Sequence, residues 1–189
     1  MPPLVPRPKL DATRGPKDQS RALALAAEAF DLWQGDRLEE AEKRYVEALS
    51  HAEPRDERTA DIHGAYAGLL SRMNRFADAG RQYERALQVE LRNHPDESAA
   101  PVVAARYLLG EHYLRMGEPE SARKVVAPSL TGAEKPLAWI VEAEALLQCG
   151  GTDDARAAAD RAVSLAANDE QRERIRARFA ELWPEPERE

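Results

Sequence analysis

A single cysteine, Cys149, cannot close a disulfide within the chain, and four scattered histidines offer no zinc-ligand spacing, so neither a disulfide framework nor a metal site is expected. Long apolar runs are missing as well. No stretch approaches the length needed to cross a bilayer, and the opening Met1-Pro2-Pro3-Leu4-Val5-Pro6 lacks the uninterrupted apolar core of a secretory signal. A cytoplasmic location without a membrane partner is the expectation. Positive charge is the scarcer sign: 27 Lys and Arg against 34 Asp and Glu leave a net charge of −7, which repels phosphate backbones unless basic residues cluster. The densest basic stretch, Arg172 to Arg178, is interleaved with Glu173 and surrounded by Asp169, Glu170 and Glu181. It reads as a solvated helix face, and no nucleic-acid partner is expected.

Signatures of catalysis are absent too. The chain has no phosphate-cradling loop with its lysine, no dinucleotide fingerprint, no histidine pair one helical turn apart with an intervening glutamate, and no serine in a glycine elbow. Glu111 and His112 are adjacent, and neighbours on a helix point about 100° apart, so the two do not share a ligand easily. Asp153 and Asp154 follow Thr152 at an expected helix start, where negative charge complements the helix dipole. Cys149 ends an expected helix and reads as a small packing residue. The expectation is a non-enzymatic protein with no cofactor.

What is present is a globular composition, 43% hydrophobic and 32% charged over 189 residues, enough for one well-packed domain. Residues 1–19 carry Pro2, Pro3, Pro6, Pro8 and Pro16 with almost no apolar pattern, and are expected to form a flexible tail. From Arg21 the pattern becomes helical, with Leu25, Ala29 and Leu32 on one face, and Leu38, Ala41, Tyr45, Ala48 and Leu49 on the next after a break at Gly35-Asp36.

The same unit then returns. The first copy runs Gly35-Asp36-Arg37-Leu38-Glu39-Glu40-Ala41, then Tyr45 and Ala48-Leu49; the second runs Asn74 to Ala79, then Tyr83 and Ala86-Leu87. The third has Gly117 to Ala122, then Val126 and Ser129-Leu130; the fourth has Gly150 to Ala155, then Ala159 and Ala162-Val163. Between Ala41, Ala79, Ala122 and Ala155 the steps are 38, 43 and 33 residues, so the helical core is constant while the connection varies. Each copy reads as a helical hairpin whose apolar stripe is buried only by its neighbours. The recurring alanine permits close approach, and the large residue four positions on fills the space between repeats. Helix A is expected to end on a glycine or asparagine tolerant of the left-handed conformation, with Pro119 harmless near a helix start.

These residues resemble the tetratricopeptide repeat family, most closely in the third copy, where Leu109-Gly110, Tyr113, Gly117 and Ala122 stand at that family's leucine-glycine, tyrosine, glycine and alanine. The longer second connection, from Ala86 through Glu97, resembles the longer repeats of kinesin light chains and bacterial relatives. The resemblance implies an all-α, right-handed α-α superhelix of about four hairpins plus a C-terminal capping helix. Repeats are expected at about 22–54, 58–95, 100–132 and 135–167 within a domain of 20–167, followed by a capping helix over 168–183 and an acidic tail over 184–189. Asn168 would cap the last helix, with Ile175, Phe179 and Leu182 on its stripe. Departures from the family pattern are Pro128, where a kink or break is expected, and the pair Gly64 and Gly68, explained either by close helix contact or by a groove left open for a ligand.

The resemblance further implies a partner protein or peptide held in a concave groove lined by the A helices. Carried across the matching copies, the groove candidates are Phe30, Trp33 and Gln34; Ser71 and Arg72; Tyr107, Glu111 and Arg115; and Glu144 and Gln148. Phe30, Trp33 and Tyr107 would be apolar anchors, and Arg72 with Arg115 would hold a carboxylate by forked hydrogen bonds. Trp33 has a second reading, packing beneath the N-terminal tail. Chaperone-tail-binding relatives use a lysine, asparagine and arginine clamp, whereas the matching positions here are Ala26, Phe30, Ala65, Ala104 and Leu108, so that specialised role is not expected. The functional expectation is an interaction scaffold or adaptor. Alternatives are a sensor of a small ligand or signalling peptide with a soft point at Gly64 and Gly68, or a self-associating module, with the chain a monomer or weak homo-oligomer.

Overall fold

Each helical hairpin begins with a helix that must stop abruptly, and four residues make it do so. Asp36, Asn74, Gly117 and Gly150 all adopt positive φ, between 57° and 81°. Around each, two backbone hydrogen bonds reach back into the last turn, as in Arg37 N to Leu32 O and Asp36 N to Trp33 O, both 2.9 Å. This pairing satisfies orphan carbonyls and sends the chain into the next helix. In the first hairpin the left-handed residue is Asp36 and not Gly35, whose φ is −81°. Aspartate tolerates that conformation because its short side chain is among the least hindered there.

The computed structural model describes residues 17–131 and 136–183. Among these the chain forms nine α-helices, one 3-10 turn and no strand: α1 (Gln19–Gln34), α2 (Leu38–His51), α3 (Arg58–Arg72), α4 (Phe76–Asn93), α5 (Ala100–Arg115), α6 (Pro119–Leu130), α7 (Leu137–Gln148), α8 (Thr152–Ser164) and α9 (Asp169–Arg178), with the turn at Ala180–Leu182. No helix of the described residues is long and apolar enough to cross a membrane. The sequence expectations for residues 1–16 and 184–189 lie outside the described residues. The remainder of the expected tail is tied down: Asp18 caps α1 by accepting from Arg21 N at 3.0 Å, and Lys17 Nζ donates to Ser50 O at 2.8 Å.

The hairpins pair α1 with α2, α3 with α4, α5 with α6 and α7 with α8. Ala41, Ala79, Ala122 and Ala155 are each fully buried, which lets the paired helices close to backbone distance. The residues four positions on, Tyr45, Tyr83, Val126 and Ala159, fill the space between hairpins. Tyr45 stacks on Tyr66 of the next hairpin with ring centroids 5.7 Å apart. Gly110 serves the same closeness: a Cβ there would stand 2.8 Å from Val141 Cγ1, so α5 packs on α7 through bare backbone.

Successive odd helices, α1 with α3 and α5 with α7, touch each other, whereas no two even helices do so to a comparable extent. The odd helices therefore line the inner wall of a curved stack and the even ones its outer wall. α9 closes the stack, capped by Asn168, which accepts from Gln171 N at 2.8 Å; its Ile175, with Phe179 and Leu182 of the segment that follows, is buried against α7 and α8.

The long second connection is mostly helix: its first residues extend α4 to 18 residues, leaving a short loop before α5. One expectation is corrected by packing. Pro128 does not break α6, which runs through it and stops at Leu130. In the last turn the missing N–H removes a single bond. The buried Arg106 supports that turn, donating through Nη1 to Val125 O at 2.6 Å and through Nη2 to Glu97 Oε2 at 3.1 Å, while Ser129 Oγ donates to Glu97 O at 3.1 Å.

Candidate functional site

The inner wall presents the residues of α1, α3, α5 and α7 that precede each left-handed residue by fixed intervals. On α1, Phe30 is 46% exposed and meets Trp33 edge to face, ring centroids 5.8 Å apart. The tail beneath which Trp33 could pack lies mostly outside the described residues, and Trp33 itself is half-buried. Its Cη2 is 2.9 Å from where a Cβ on Gly68 would be, so the indole spans α1 and α3 over a bare glycine. Gln34 is exposed, Ser71 is half-buried with an unpartnered Oγ, and Gln148 is exposed.

The two candidate arginines have different surroundings. Arg72 turns to Asp36 of the preceding turn, Nη2 to Oδ1 at 3.6 Å, both exposed, and Arg115 is exposed with no ion pair among the described residues. The acids converge. Glu111 of α5 and Glu144 of α7 both meet Arg178 of α9, at 2.8 Å to Nη2 and 3.5 Å to Nε. Burial works against the charge on Arg178. The hydrogen bond and charge of Glu111, with Tyr107 and Glu144 behind them, outweigh it and raise the guanidinium pKa above its ordinary value. The guanidinium also sits over the Phe179 ring, 5.6 Å from its centroid. Tyr107 is half-buried between α5 and the two C-terminal core clusters.

Arg178 is therefore not part of the solvated face that its neighbours form. Arg172 and Arg174 do pair locally with Asp169 and Glu170. The signal that could have singled out Arg178 is the repeat register: Glu111 and Glu144 each stand six residues before a left-handed glycine, so two carboxylates stack on adjacent helices and call for a cation.

Between α3 and α5 the inner wall opens. These two helices barely touch, and a trough of about 270 Å³ lies between them with Tyr83 and Glu90 of α4 at its floor. Sequence reasoning found Gly64 but not the buried carboxylate below it. On the outer wall a larger depression of about 610 Å³ runs between α2 and α4, past the exposed Val46. Cys149 is exposed, not packed, with Sγ 3.6 Å from Glu120 Oε1. Among the described residues no cluster of three potential metal ligands occurs.

No protein-family model matches the chain, and no curated protein matches it in sequence. Solved structures do. BtubC (BKLC) from P. vanneervenii superposes with a TM-score of 0.68 at 21% identity, over 91% of this chain and 70% of that one. The fold is that of a tetratricopeptide-repeat solenoid. PilF of Pseudomonas aeruginosa gives a TM-score of 0.60 at 21% identity over 89% of this chain and 79% of its own. YrrB, described as a TPR protein with an unusual peptide-binding site, gives 0.54 at 18% identity over 89% of each chain. At these identities the tetratricopeptide-repeat likeness concerns the fold, and the side chains on the inner wall are this chain's own.

Proposed function

We propose that this chain is a non-enzymatic interaction scaffold that holds a peptide or helix of a partner protein against its inner wall. The observation that carries the reading is the inner wall itself. It carries an exposed aromatic, Phe30 on α1, and an exposed aliphatic, Leu108, at the trough between α3 and α5, while most other large apolar side chains among the described residues are buried. Helical-hairpin stacks of this shape present extended concave surfaces suited to a peptide, and YrrB, which shares the fold, is described as having a peptide-binding site, an unusual one. The α9 cation already neutralises Glu111 and Glu144, so the free part of the wall is that of α1, α3 and the first half of α5.

The test is capture of partners from the source cell, followed by mass spectrometry, with the intact chain, a Phe30→Ala, Arg72→Ala, Leu108→Ala variant of the inner wall and a Val46→Ala variant of the outer wall. All four residues are exposed, so the variants keep the fold. A partner retained by the outer-wall variant and lost from the inner-wall variant supports the reading. A partner lost only from the outer-wall variant contradicts it.

A further inference from the structure

The trough between α3 and α5 exists because of one register position. Ten residues before its left-handed turn, α5 has Tyr107 and α7 has Ile140, whereas α3 has Gly64. A Cβ added to Gly64 would meet no atom within 4 Å. The walls are completed by Ala65, Ala104 and the 42%-exposed Leu108, so the surface offered is mainly methyl and backbone. At about 270 Å³ the space exceeds the ~150 Å³ that accommodates a benzene ring in an apolar protein cavity. It has room for one large side chain.

Two acids make this more than an apolar hollow. Glu90 lines the trough from α4 with the residue only 8% exposed, and its Oε2 is buried without a hydrogen-bond donor; the imidazole of His94 stands beside it with Nε2 at 3.5 Å. Asp61 stands on the α3 side. Burial raises the carboxyl pKa of both, with His94 opposing at Glu90 and Glu57 adding at each. No lysine or arginine lines the trough among the described residues. A buried carboxylate without its full complement of donors is costly, and a long basic side chain is the group that both supplies donors and covers methyl surface with its stem.

We propose that this trough seats a lysine or arginine side chain from a segment of a partner protein, its aliphatic stem against Gly64, Ala65, Ala104 and Leu108 and its cationic head on Glu90 and Asp61. The proposal rests on the inner-wall reading above and specifies the chemistry that wall selects. The chain's net charge of −7 favours the approach of such a basic segment.

The experiment follows backbone amide shifts of the ¹⁵N-labelled full chain with millimolar peptide Ser-Ala-Ala-Lys-Ala-Ala-Ser and with the same peptide carrying norleucine for lysine. The lysine peptide shifts Gly64, Ala65, Ala104 and Leu108, and the norleucine peptide binds at least about tenfold more weakly. Gly64→Leu removes the response by filling the trough from a position where the new side chain meets open space, and Glu90→Gln, which changes no volume, weakens it by a similar factor. Equal binding of both peptides, an undiminished response in Gly64→Leu and Glu90→Gln, or no shift at all overturns the proposal. So does 1,5-diaminopentane binding as tightly as the peptide, which would make the trough a site for a free diamine. Shifts confined to Phe30 and Trp33 would remove this seat and leave the inner-wall reading standing, whereas a partner bound on the outer wall would remove that reading itself.

Discussion

The indole of Trp33 occupies the place a side chain at Gly68 would need, its Cη2 2.9 Å from the Cβ position, while four residues earlier Gly64 faces open space. Two glycines on one helix, indistinguishable by local pattern, thus have opposite structural grounds. Gly64→Ala is expected to raise stability by about 0.5 to 1 kcal/mol, the ordinary helix-propensity gain. Gly68→Ala is expected to lower it by about 1 to 3 kcal/mol, because the indole must move. Denaturant midpoints of the two variants check both signs.

Arg178 holds two carboxylates from two other hairpins, so its removal leaves Glu111 and Glu144 facing each other with no cation between them. Arg178→Ala is expected to cost about 1 to 2 kcal/mol, a partly exposed charged hydrogen bond being discounted for solvent screening. The loss shrinks in high salt. Adding Glu111→Gln to the variant restores part of it, a double-mutant cycle that a purely steric role for Arg178 would not produce.

The last turn of α6 depends on a residue of α5. Arg106→Met retains the stem and removes the donors to Val125 O and Glu97, and is expected to cost about 2 to 3 kcal/mol. Hydrogen exchange should show the loss first in residues 124–130, and Pro128→Ala, by returning one N–H to that turn, should recover part of the protection.

His112 is buried between Tyr83 and Tyr113 and over Gly80, and burial chiefly depresses its pKa, with Arg115 adding and Glu118 and Glu84 opposing. A histidine whose folded pKa lies below its unfolded value of about 6.5 takes up its proton more readily when unfolded, so its contribution to stability is present above that value and is lost as the pH falls through it. His63, depressed chiefly by burial, works in the same direction. The thermal midpoint is expected to drop between neutral pH and about pH 5.5, and by less in His112→Gln, measured by scanning calorimetry at both values.

The hairpin stack was legible because its determinants are local and repeated. Alanines, tyrosines and turn residues at fixed intervals each specify a contact between elements adjacent in sequence, and Asn168 with Ile175, Phe179 and Leu182 announced the closing helix in the same way. Features set by distant partners were not legible. Pro128 reads as a break in sequence, but Arg106 braces its turn; Arg178 reads as one more solvated arginine, but two distant carboxylates hold it; and Asp36, not the neighbouring Gly35, takes the left-handed conformation. Of the inner-wall residues, Phe30, Trp33, Glu111 and Glu144 are drawn together in pairs, while Arg72 is turned to Asp36 of the preceding turn. Glu90, in a helix of the outer wall, gave no sign in sequence that its carboxylate lies beneath the trough.

The most direct test of the central claim is site-specific photo-crosslinking in the source cell, with a photoreactive amino acid placed in separate experiments at Leu108 on the inner wall and at Val46 on the outer wall, both exposed. The account predicts one defined protein adduct from position 108 and none from position 46. An adduct from position 46 with none from position 108 would place the partner on the outer wall and contradict it.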